Sequence, residues 1–257
     1  MIPEGLIHAA EILQSAQRVV VSTGAGMSRE SGIPTFRDAQ EGLWARFNPE
    51  ELATERGFRT APARVWGWYA HRRRAIMSCE PHPGHGALVA LERLLPELVV
   101  VTQNIDGLHQ ASGSADVIEL HGSIRRSKCL DHGHPFAGAF DEEIAGGEDA
   151  EQDPPPCPDC GSPLRPDVVW FGEMLPAAAT TRAREFAEQC DVMLVVGTSG
   201  MVWPAAELPF VAERSGACII EINPDPSEIT RIADVFLQGR AGEVLPALVQ
   251  ALNVLRH

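Results

Sequence analysis

The chain has 257 residues, of which 44% are hydrophobic, and it carries a formal net charge of −14 at pH 7. An acidic chain repels phosphate backbones, so nucleic-acid binding is disfavoured, and no apolar stretch approaches the length of a membrane span. The first residues predict an amphipathic helix and lack the basic and apolar regions of a secretory signal. We therefore expect a cytoplasmic protein with reduced thiols, whose clustered cysteines bind metal rather than each other.

Six short, β-branched runs predict buried parallel strands, because turn-forming residues bound each of them. The runs are residues 18–22, 98–102, 117–120, 192–196, 218–222 and 235–237. Helical periodicity lies between the strands, most clearly in residues 204–214 and 242–255. This alternation predicts an α/β fold with a doubly wound, Rossmann-like parallel sheet.

Two segments interrupt the alternation of strands and helices. Residues 38–77 are helical and carry aromatic residues and arginines, whereas residues 125–165 are rich in proline, glycine, cysteine and acidic residues. We interpret both segments as insertions that together form a smaller lobe beside the sheet. The Rossmann-like domain then consists of residues 1–37, 78–124 and 166–257.

The first predicted strand leads into Gly24-Ala25-Gly26-Met27-Ser28. A glycine turn between a strand and a helix lets the backbone approach a pyrophosphate, and the helix N-terminus offers free N–H groups and a positive dipole end. The third glycine of a dinucleotide fingerprint is absent, because Arg29 occupies its position. These residues alone fit an ordinary strand–helix turn equally well.

Longer strings add to this signal. They are GAGMSRESGIPTFR at residues 24–37, TQNIDGLH at 102–109, ELHG at 119–122, RPDVVWFGE at 165–173, Gly197-Thr198-Ser199, Asn223, and Gly239-Arg240-Ala241. Together these blocks span most of the chain and resemble, in the same order, the signature motifs of the sirtuins. Sirtuins are NAD-consuming protein lysine deacylases, so the resemblance implies that NAD lies across the carboxyl edge of the sheet.

The resemblance also implies which residues line the NAD site. They are Gly24, Ala25, Gly26, Ser28, Phe36, Arg37, Gln103, Asn104, Ile105, Asp106, Gly197, Thr198, Ser199, Asn223 and Ala241. Short amide and carboxylate side chains at strand ends supply the fixed hydrogen bonds that a strained nicotinamide ribose requires. Capping of the following helix is a second role open to Asn104 and Asp106.

His121, in ELHG, matches the sirtuin catalytic base. In that family the acyl-lysine carbonyl oxygen attacks the ribose carbon as nicotinamide departs, and the histidine helps to deprotonate a ribose hydroxyl. Hydrolysis then gives free lysine and O-acyl-ADP-ribose. An imidazole suits this step because it titrates near neutral pH. The alternative for a lone histidine is a structural hydrogen bond, which is the role we expect for His109.

Residues 157–161, CPDCG, form a turn that presents the thiolates of Cys157 and Cys160 to one ion. Sirtuins usually carry another Cys-x-x-Cys upstream, and here Cys129 and His132 stand at those positions. Zinc accepts three Cys and one His in a closed tetrahedral site, so we predict structural Zn²⁺ in the 125–165 insertion. Two alternatives stay open, namely His134 in place of His132, and a lost metal site.

Residues 62–77 predict a helix, with Val65, Tyr69, Arg72 and Ile76 on one face. Arg72 is out of place on an apolar face unless something pairs with it. This Tyr-x-x-Arg pair resembles that of the sirtuins that remove succinyl, malonyl or glutaryl groups, where the arginine binds the distal carboxylate. We interpret the next two arginines, 73 and 74, as a solvated face.

The sequence therefore predicts an NAD-dependent protein lysine deacylase that prefers acidic acyl groups, uses NAD and structural zinc, and acts on acyl-lysine-bearing proteins as a monomer. The alternatives are a plain deacetylase of the same fold, a mono-ADP-ribosyltransferase with the same NAD site, and a non-enzymatic NAD sensor. The sensor is disfavoured, because His121 and the run at residues 103–106 are both present.

Overall fold

The computed structural model of the protein describes residues 2–34, 48–136, 138 and 151–256. Its strands are β1 (Arg18–Thr23), β2 (Glu97–Thr102), β3 (Val117–Glu119), β4 (Gly122–Cys129), β5 (Pro135–Phe136), β6 (Leu164–Val168), β7 (Val192–Val196), β8 (Cys218–Asn223) and β9 (Val235–Gln238). Its α-helices are α1 (Glu4–Ser15), α2 (Pro49–Leu52), α3 (Glu55–Thr60), α4 (Pro62–Met77), α5 (Pro83–Leu94), α6 (Leu108–Ser112), α7 (Ala177–Gln189), α8 (Leu208–Arg214) and α9 (Ala241–Leu255). None of the helices in this described part has the length and apolarity that a membrane span requires. Phe36 and Arg37 lie outside the described residues.

Six strands form one parallel sheet in the order β3–β2–β1–β7–β8–β9. Counted along the chain within this sheet, that order is 3-2-1-4-5-6, the arrangement of a Rossmann-like doubly wound fold. All six predicted strands are confirmed, and their ends agree to within one residue. The strand order reverses between β1 and β7, so a crevice is expected at the carboxyl ends of these two strands.

Helices cover both faces of the parallel sheet. On one face Val19 and Val21 of β1 pack with apolar residues of α1, α5 and α9. On the opposite face Val20 packs with residues of α7 and α8. Because successive side chains of a strand point to opposite faces and both faces are buried, the strands are continuously apolar instead of alternating.

A second sheet is antiparallel and has the order β5–β4–β6. It packs with α2, α3 and α4 around a separate core that includes Phe58, Trp66 and Trp170. These elements come largely from the two segments that the sequence predicts as insertions, although β4 begins at Gly122 and β6 ends at Val168. The domain boundaries at residues 37, 77, 124 and 165 stay a prediction.

Gly122 turns the chain from the parallel sheet into the antiparallel one. Its φ angle is +74°, and a Cβ atom at this position would lie 2.1 Å from the Asp167 carbonyl oxygen. Glycine meets both requirements, since it lacks a Cβ and adopts positive φ without strain. His121, the preceding residue, therefore lies at the junction of the two sheets.

Arg73 is buried, so the prediction that it belongs to a solvated face is wrong. Its side chain is 6% exposed and donates hydrogen bonds to the Ile124 carbonyl oxygen at 2.7 Å and to Ser127 Oγ at 3.3 Å. Its guanidinium carbon also lies 5.5 Å from the ring centroid of Trp66. Arg73 follows Trp66 by two helical turns and so shares its core-facing side, whereas Arg74 is exposed as predicted.

Replacing Arg73 with methionine tests this packing. The variant keeps an apolar stem but leaves the Ile124 carbonyl unpaired, so the free energy of unfolding should fall by about 1.5–3 kcal/mol. The matched control Arg74→Met, one position along the same helix, should change it by less than about 0.5 kcal/mol. Urea unfolding followed by circular dichroism measures both, and equal effects of the two substitutions would contradict the buried role.

Candidate active site and metal cluster

The glycine loop after β1 contacts the loop after β7, where the strand order reverses. Gly24 N–H donates to the Val196 carbonyl oxygen at 3.0 Å, and Gly26 N–H donates to the Gly197 carbonyl oxygen at 2.8 Å. A Cβ atom on Gly26 would lie 2.7 Å from Gly197 Cα, and one on Gly24 would lie 2.8 Å from Thr198 Cβ. The contact between the loops therefore requires both glycines, independently of any ligand.

Two short 3₁₀ turns, Ala25–Met27 and Arg29–Ser31, follow Gly24. The sequence predicts the start of a helix here, and the described residues form these two 3₁₀ turns instead of an α-helix. Each turn comprises three residues, too few to build a macrodipole. Four backbone N–H groups of the loop already donate to carbonyl oxygens within the protein, namely those of Gly24, Gly26, Met27 and Ser28. Among residues 24–28, the Ala25 N–H is therefore the one left to meet a phosphate.

Asn104, Ser28 and Asp106 form a hydrogen-bonded chain beside the glycine loop. Asn104 Nδ2 donates to the Gly24 carbonyl oxygen and to Ser28 Oγ, each at 2.9 Å. Ser28 Oγ donates to Asp106 Oδ2 at 2.6 Å, and Leu108 N–H donates to Asp106 Oδ1 at 2.8 Å. Asp106 therefore caps the start of α6, which is the second role that the sequence leaves open for it. Both amide hydrogens of Asn104 are used within the protein, which leaves Oδ1 as its atom available to a ligand.

Thr198, after β7, connects the ends of two further strands. Gln103 Nε2, after β2, donates to Thr198 Oγ1 at 3.4 Å. Asn223 Nδ2, at the end of β8, donates to the Thr198 carbonyl oxygen at 2.8 Å. The predicted residues at these strand ends thus meet at one edge of the sheet.

Glu221 belongs to this network, and the sequence analysis missed it. Its carboxylate is fully buried and accepts hydrogen bonds from Ser227 Oγ and Thr230 Oγ1 at 2.5 Å and from Asn223 Nδ2 at 3.1 Å. The available signal was a charged residue in the middle of an otherwise apolar strand, which is costly unless donors surround it. Glu221 holds the segment after β8 and orients the Asn223 amide.

Three other predicted site residues lie along the same edge. Ser199 Oγ, after β7, accepts from Met201 N–H at 3.4 Å. Ile105, after β2, accepts through its carbonyl oxygen from Ile124 N–H at 2.9 Å, which links the β2 loop to β4. Ala241 is buried and begins α9, directly after the last strand of the sheet.

His121 Nδ1 lies 2.9 Å from the Gln103 carbonyl oxygen. A carbonyl only accepts, so Nδ1 carries the proton of the neutral ring and Nε2 keeps the lone pair. Burial lowers the pKa of His121, and the hydrogen bond to Gln103 opposes this shift without cancelling it. The ring is therefore neutral at pH 7 and can accept a proton at Nε2.

Three other histidines form a buried cluster next to the glycine loop. His82 Nε2 lies 2.6 Å from the Met27 carbonyl oxygen, and His109 Nε2 lies 3.0 Å from Thr23 Oγ1. Burial lowers the pKa of His85 to about 3 and that of His109 to about 4, so both rings are neutral at pH 7. His82 also caps α5, and its contact with the glycine loop could not be seen from the sequence.

Tyr69 lies on the buried face of α4, together with Val65 and Ile76, as the helical spacing predicts. Trp170 Nε1 donates a hydrogen bond to the Tyr69 hydroxyl oxygen at 3.0 Å. Burial raises the pKa of Tyr69, so its hydroxyl is protonated at neutral pH.

Arg72 is half-buried on the same helix, and its guanidinium carbon lies 5.2 Å from the Trp68 ring centroid. Within the described part of the chain, no hydrogen-bond acceptor or carboxylate pairs with it. Burial lowers the pKa of Arg72, yet an arginine stays charged at neutral pH. A half-buried cation that has no acceptor among the described residues is suited to an anionic ligand.

A separate cluster contains Cys129, His134, Cys157 and Cys160, whose ligand atoms all lie within 4.8 Å of one another. Cys129 Sγ is 3.4 Å from Cys160 Sγ, and Cys157 Sγ is 3.7 Å from His134 Nδ1. Ligands of a tetrahedral zinc ion lie about 3.3–3.8 Å apart, so the cluster fits zinc. Hydrogen bonds from Ser162 lower the pKa of Cys160 to about 6, which favours the ligating thiolate. Four protein ligands leave no open position, so the role is structural.

The structure brings His134, not the predicted His132, into this cluster. Cys129 N–H donates to the His134 carbonyl oxygen at 2.8 Å, so these two residues face each other across the hairpin between β4 and β5. Side chains of directly opposed residues lie on the same side of a hairpin. His132 is exposed in the turn between them, where the two-residue spacing from Cys129 does not turn it toward the other cysteines.

The two histidines provide a matched test of the metal ligands. Removing a residue that only hydrogen-bonds to a zinc ligand weakens metal binding by about 10–100-fold. His134→Ala removes a ligand itself, so it should weaken zinc binding by more than that. His132→Ala should keep one zinc per chain. Metal content measured by mass spectrometry after dialysis against a chelator distinguishes them. Zinc lost from the His132 variant and retained by the His134 variant would show that this ligand set is wrong.

Comparison with known proteins shows that the similarity to sirtuins covers most of the chain and not only the motifs of the site. The Sir2 family model matches residues 24–204, more than half of the chain. NAD-dependent protein deacylase 2 of Pyrobaculum aerophilum is 52% identical, with 96% of each chain covered. An NAD-dependent protein deacylase of Ralstonia nicotianae is 51% identical and covers 92% of this chain and 93% of its own.

Solved structures agree with this assignment. A Sir2 homolog in complex with NAD has a TM-score of 0.88 at 43% identity, and the match covers 97% of this chain and 94% of that chain. The structure of Sir2Af2 bound to a myristoylated histone peptide has a TM-score of 0.79 at 39% identity, with 98% of each chain covered. The resemblance that the sequence motifs indicate is confirmed: the chain belongs to the Sir2 family.

Proposed function

We propose that this chain is an NAD-dependent protein lysine deacylase, which moves an acyl group from a lysine side chain to ADP-ribose. The observation that carries the proposal is the His121 imidazole, whose Nδ1 is committed to the Gln103 carbonyl oxygen while Nε2 keeps its lone pair. Relatives named NAD-dependent protein deacylases support the same activity.

NAD is the co-substrate in this proposal, and it supplies a ribose from which nicotinamide leaves. We assign the NAD phosphates to Gly24, Ala25, Gly26 and Ser28, and a phosphate and ribose also to Gly197, Thr198 and Ser199. The residues that we assign to the nicotinamide half are Phe36, Arg37, Gln103, Asn104, Ile105 and Asp106. Those that we assign to the adenosine are Asn223 and Ala241. The linked side chains of Ser28, Asn104 and Asp106 suit this role, because their positions are fixed before ligand binds.

His121 has one proton-transfer task in this scheme. Its Nε2 accepts the proton of a ribose hydroxyl, so that the oxygen can bond to the acyl carbon. The Nδ1–H group keeps its hydrogen bond to the Gln103 carbonyl oxygen, and the dipole of this carbonyl stabilises the positive charge that forms on the ring.

We propose further that the enzyme prefers acyl groups that end in a carboxylate. The half-buried Arg72 guanidinium has the planar fork that pairs with a carboxylate through two parallel hydrogen bonds. The Tyr69 hydroxyl lies one helical turn away and is protonated, so it adds a donor. A neutral acetyl group would leave the guanidinium without its partner.

The partners and setting follow from charge and thiol chemistry. We propose that acyl-lysine-bearing proteins are the substrates, because a chain with a net charge of −14 attracts basic segments around lysine. All six cysteines are free, which suits a reducing compartment such as the cytoplasm. We propose a monomer that binds neither nucleic acid nor membrane.

The lowered pKa of His121 predicts an acid limit on activity. Because the ring must be neutral to accept a proton, kcat/KM for NAD should be constant above about pH 7 and should fall as the pH drops through a pKa below the ordinary value of about 6.5. His121→Gln should lower kcat by about 10²–10⁴-fold and abolish this dependence. His8→Gln, which changes an exposed histidine, is the control. An unchanged rate in the His121 variant would remove this residue from the mechanism.

Matched peptides that carry succinyl- or acetyl-lysine test the acyl preference. The double variant Tyr69→Phe/Arg72→Met should lower the ratio of kcat/KM for the succinyl peptide to that for the acetyl peptide by about tenfold or more, because the carboxylate loses its partners. Release of free lysine and nicotinamide is measured by mass spectrometry, with Arg74→Met as control.

The other outcomes distinguish the alternatives. An equal loss on both peptides would make the pair structural. A wild-type enzyme that favours acetyl-lysine, or a long acyl chain such as the myristoyl group in the Sir2Af2 complex, would contradict the acidic preference. ADP-ribose attached to protein without free lysine would instead identify a mono-ADP-ribosyltransferase.

A further inference from the structure

The contact between Trp170 and Tyr69 determines where the Tyr69 proton can go. Trp170 Nε1 lies 3.0 Å from the Tyr69 hydroxyl oxygen, and an indole N–H only donates. The tyrosine oxygen is therefore the acceptor in this bond, and its own proton has to point elsewhere. Both residues are buried, with 2% and 5% exposure, so bulk water does not compete for either group.

The Trp170 indole is held in place by an ion pair between the buried Arg165 and the partly exposed Glu173. Arg165 donates to both carboxylate oxygens of Glu173, and its guanidinium carbon stacks 3.4 Å from the Trp170 ring centroid. Glu173 Oε2 also accepts the Trp170 backbone N–H at 2.8 Å. On the small-lobe side, the Phe58 ring packs at a centroid distance of 5.3 Å. The position of the indole N–H is thus fixed before any ligand arrives.

The Arg72 guanidinium acts on the same tyrosine, because burial raises the pKa of Tyr69 and the charge of Arg72 lowers it to a smaller extent. Trp68 contacts both groups, with its ring edge-on to Tyr69 at 4.8 Å and 5.2 Å from the Arg72 guanidinium carbon. With its acceptor site taken by Trp170, Tyr69 offers a donor beside a cation that also only donates. A carboxylate, which only accepts, matches this pair, whereas a group that has to donate a hydrogen bond does not.

We propose that Trp170 is a positioning residue for acyl specificity: its indole N–H makes the Tyr69 hydroxyl a donor toward the acyl pocket. The proposal rests on the proposed function, in which Tyr69 and Arg72 bind the distal carboxylate of the acyl group. It adds that this recognition depends on the Arg165–Glu173 pair through Trp170, a side chain that is almost fully buried within the protein.

A double-mutant cycle tests the orientation directly. Trp170→Phe keeps an aromatic ring over Arg165 but removes the N–H. It should lower the succinyl-to-acetyl ratio of kcat/KM by about fivefold, mainly through a higher KM for the succinyl peptide. In a Tyr69→Phe background the same substitution should leave the ratio unchanged, because there is no hydroxyl left to orient.

A packing role gives a different result, since its effect would persist when the hydroxyl is absent. An equal fall of the ratio in both backgrounds, or no fall in either, would overturn the proposal. If Trp170→Phe does not fold, 3-benzothienylalanine at position 170 replaces the N–H with sulfur at nearly the same shape, and the same fivefold loss is expected. Wild-type preference is measured first: its absence refutes the acidic-acyl proposal itself, whereas its presence with an unchanged ratio refutes only the role of Trp170.

Discussion

The hydrogen bond from His121 Nδ1 to the Gln103 carbonyl oxygen joins the two sheets at the place where the chemistry is proposed. Gln103 follows β2 of the parallel sheet, and His121 immediately precedes β4 of the antiparallel one. The bond fixes the tautomer and the orientation of the ring together, and so it decides which nitrogen can accept a proton. Gly122 makes this arrangement possible, because no other residue fits beside the Asp167 carbonyl with a φ of +74°. The hydrogen bond that joins the two sheets is therefore the same bond that leaves Nε2 of His121 able to accept a proton.

Two buried carboxylates, those of Asp106 and Glu221, lie near this base at the edge of the parallel sheet. Among the described residues, neither forms an ion pair with a cationic side chain. Asp106 is held by a serine hydroxyl and a backbone N–H, and Glu221 by two hydroxyls and an amide. Neutral donors make such charges tolerable only when every one of them is in place. Hydrogen bonds therefore tie together described residues of the loops after β1 and β2 and within the segment after β8, and preorganised donors of this kind stabilise charge without rearranging during the reaction.

In our proposal, recognition of the acyl group has a separate basis in the smaller lobe. Its elements are Arg72 and Tyr69 on α4 and the indole of Trp170, which is stacked on Arg165. The described side chains that we assign to NAD lie mainly at the carboxyl edge of the parallel sheet, whereas the two that we assign to the acyl group lie on α4 of the smaller lobe. Ile105 links the two regions, because it packs against the core that contains Tyr69. We therefore expect changes in acyl specificity to come mainly from the smaller lobe, which is the usual way in which one fold supports several substrates.

What the sequence predicts well is whatever depends on local pattern. The six strands follow from apolar runs such as that of β7, α4 follows from its periodicity, and the NAD-edge residues follow from motif order. Contacts between distant segments were not predictable. Arg73 finds its partners on β4, 51 and 54 positions away, and His134 replaces His132 because the hairpin pairs it with Cys129. Glu221 and Trp170 are functional in our account through neighbours that no spacing rule brings together.

The most direct test is nitrogen-15 NMR of the His121 ring, assigned by comparison with His121→Gln. The expected spectrum at pH 7 is that of a neutral ring with its proton on Nδ1, a pKa below about 6.5, and an Nε2 resonance that shifts when ADP-ribose is added. A ring protonated on Nε2, or an Nε2 resonance that does not respond to ADP-ribose, would contradict the claim that this nitrogen faces the ribose as a base.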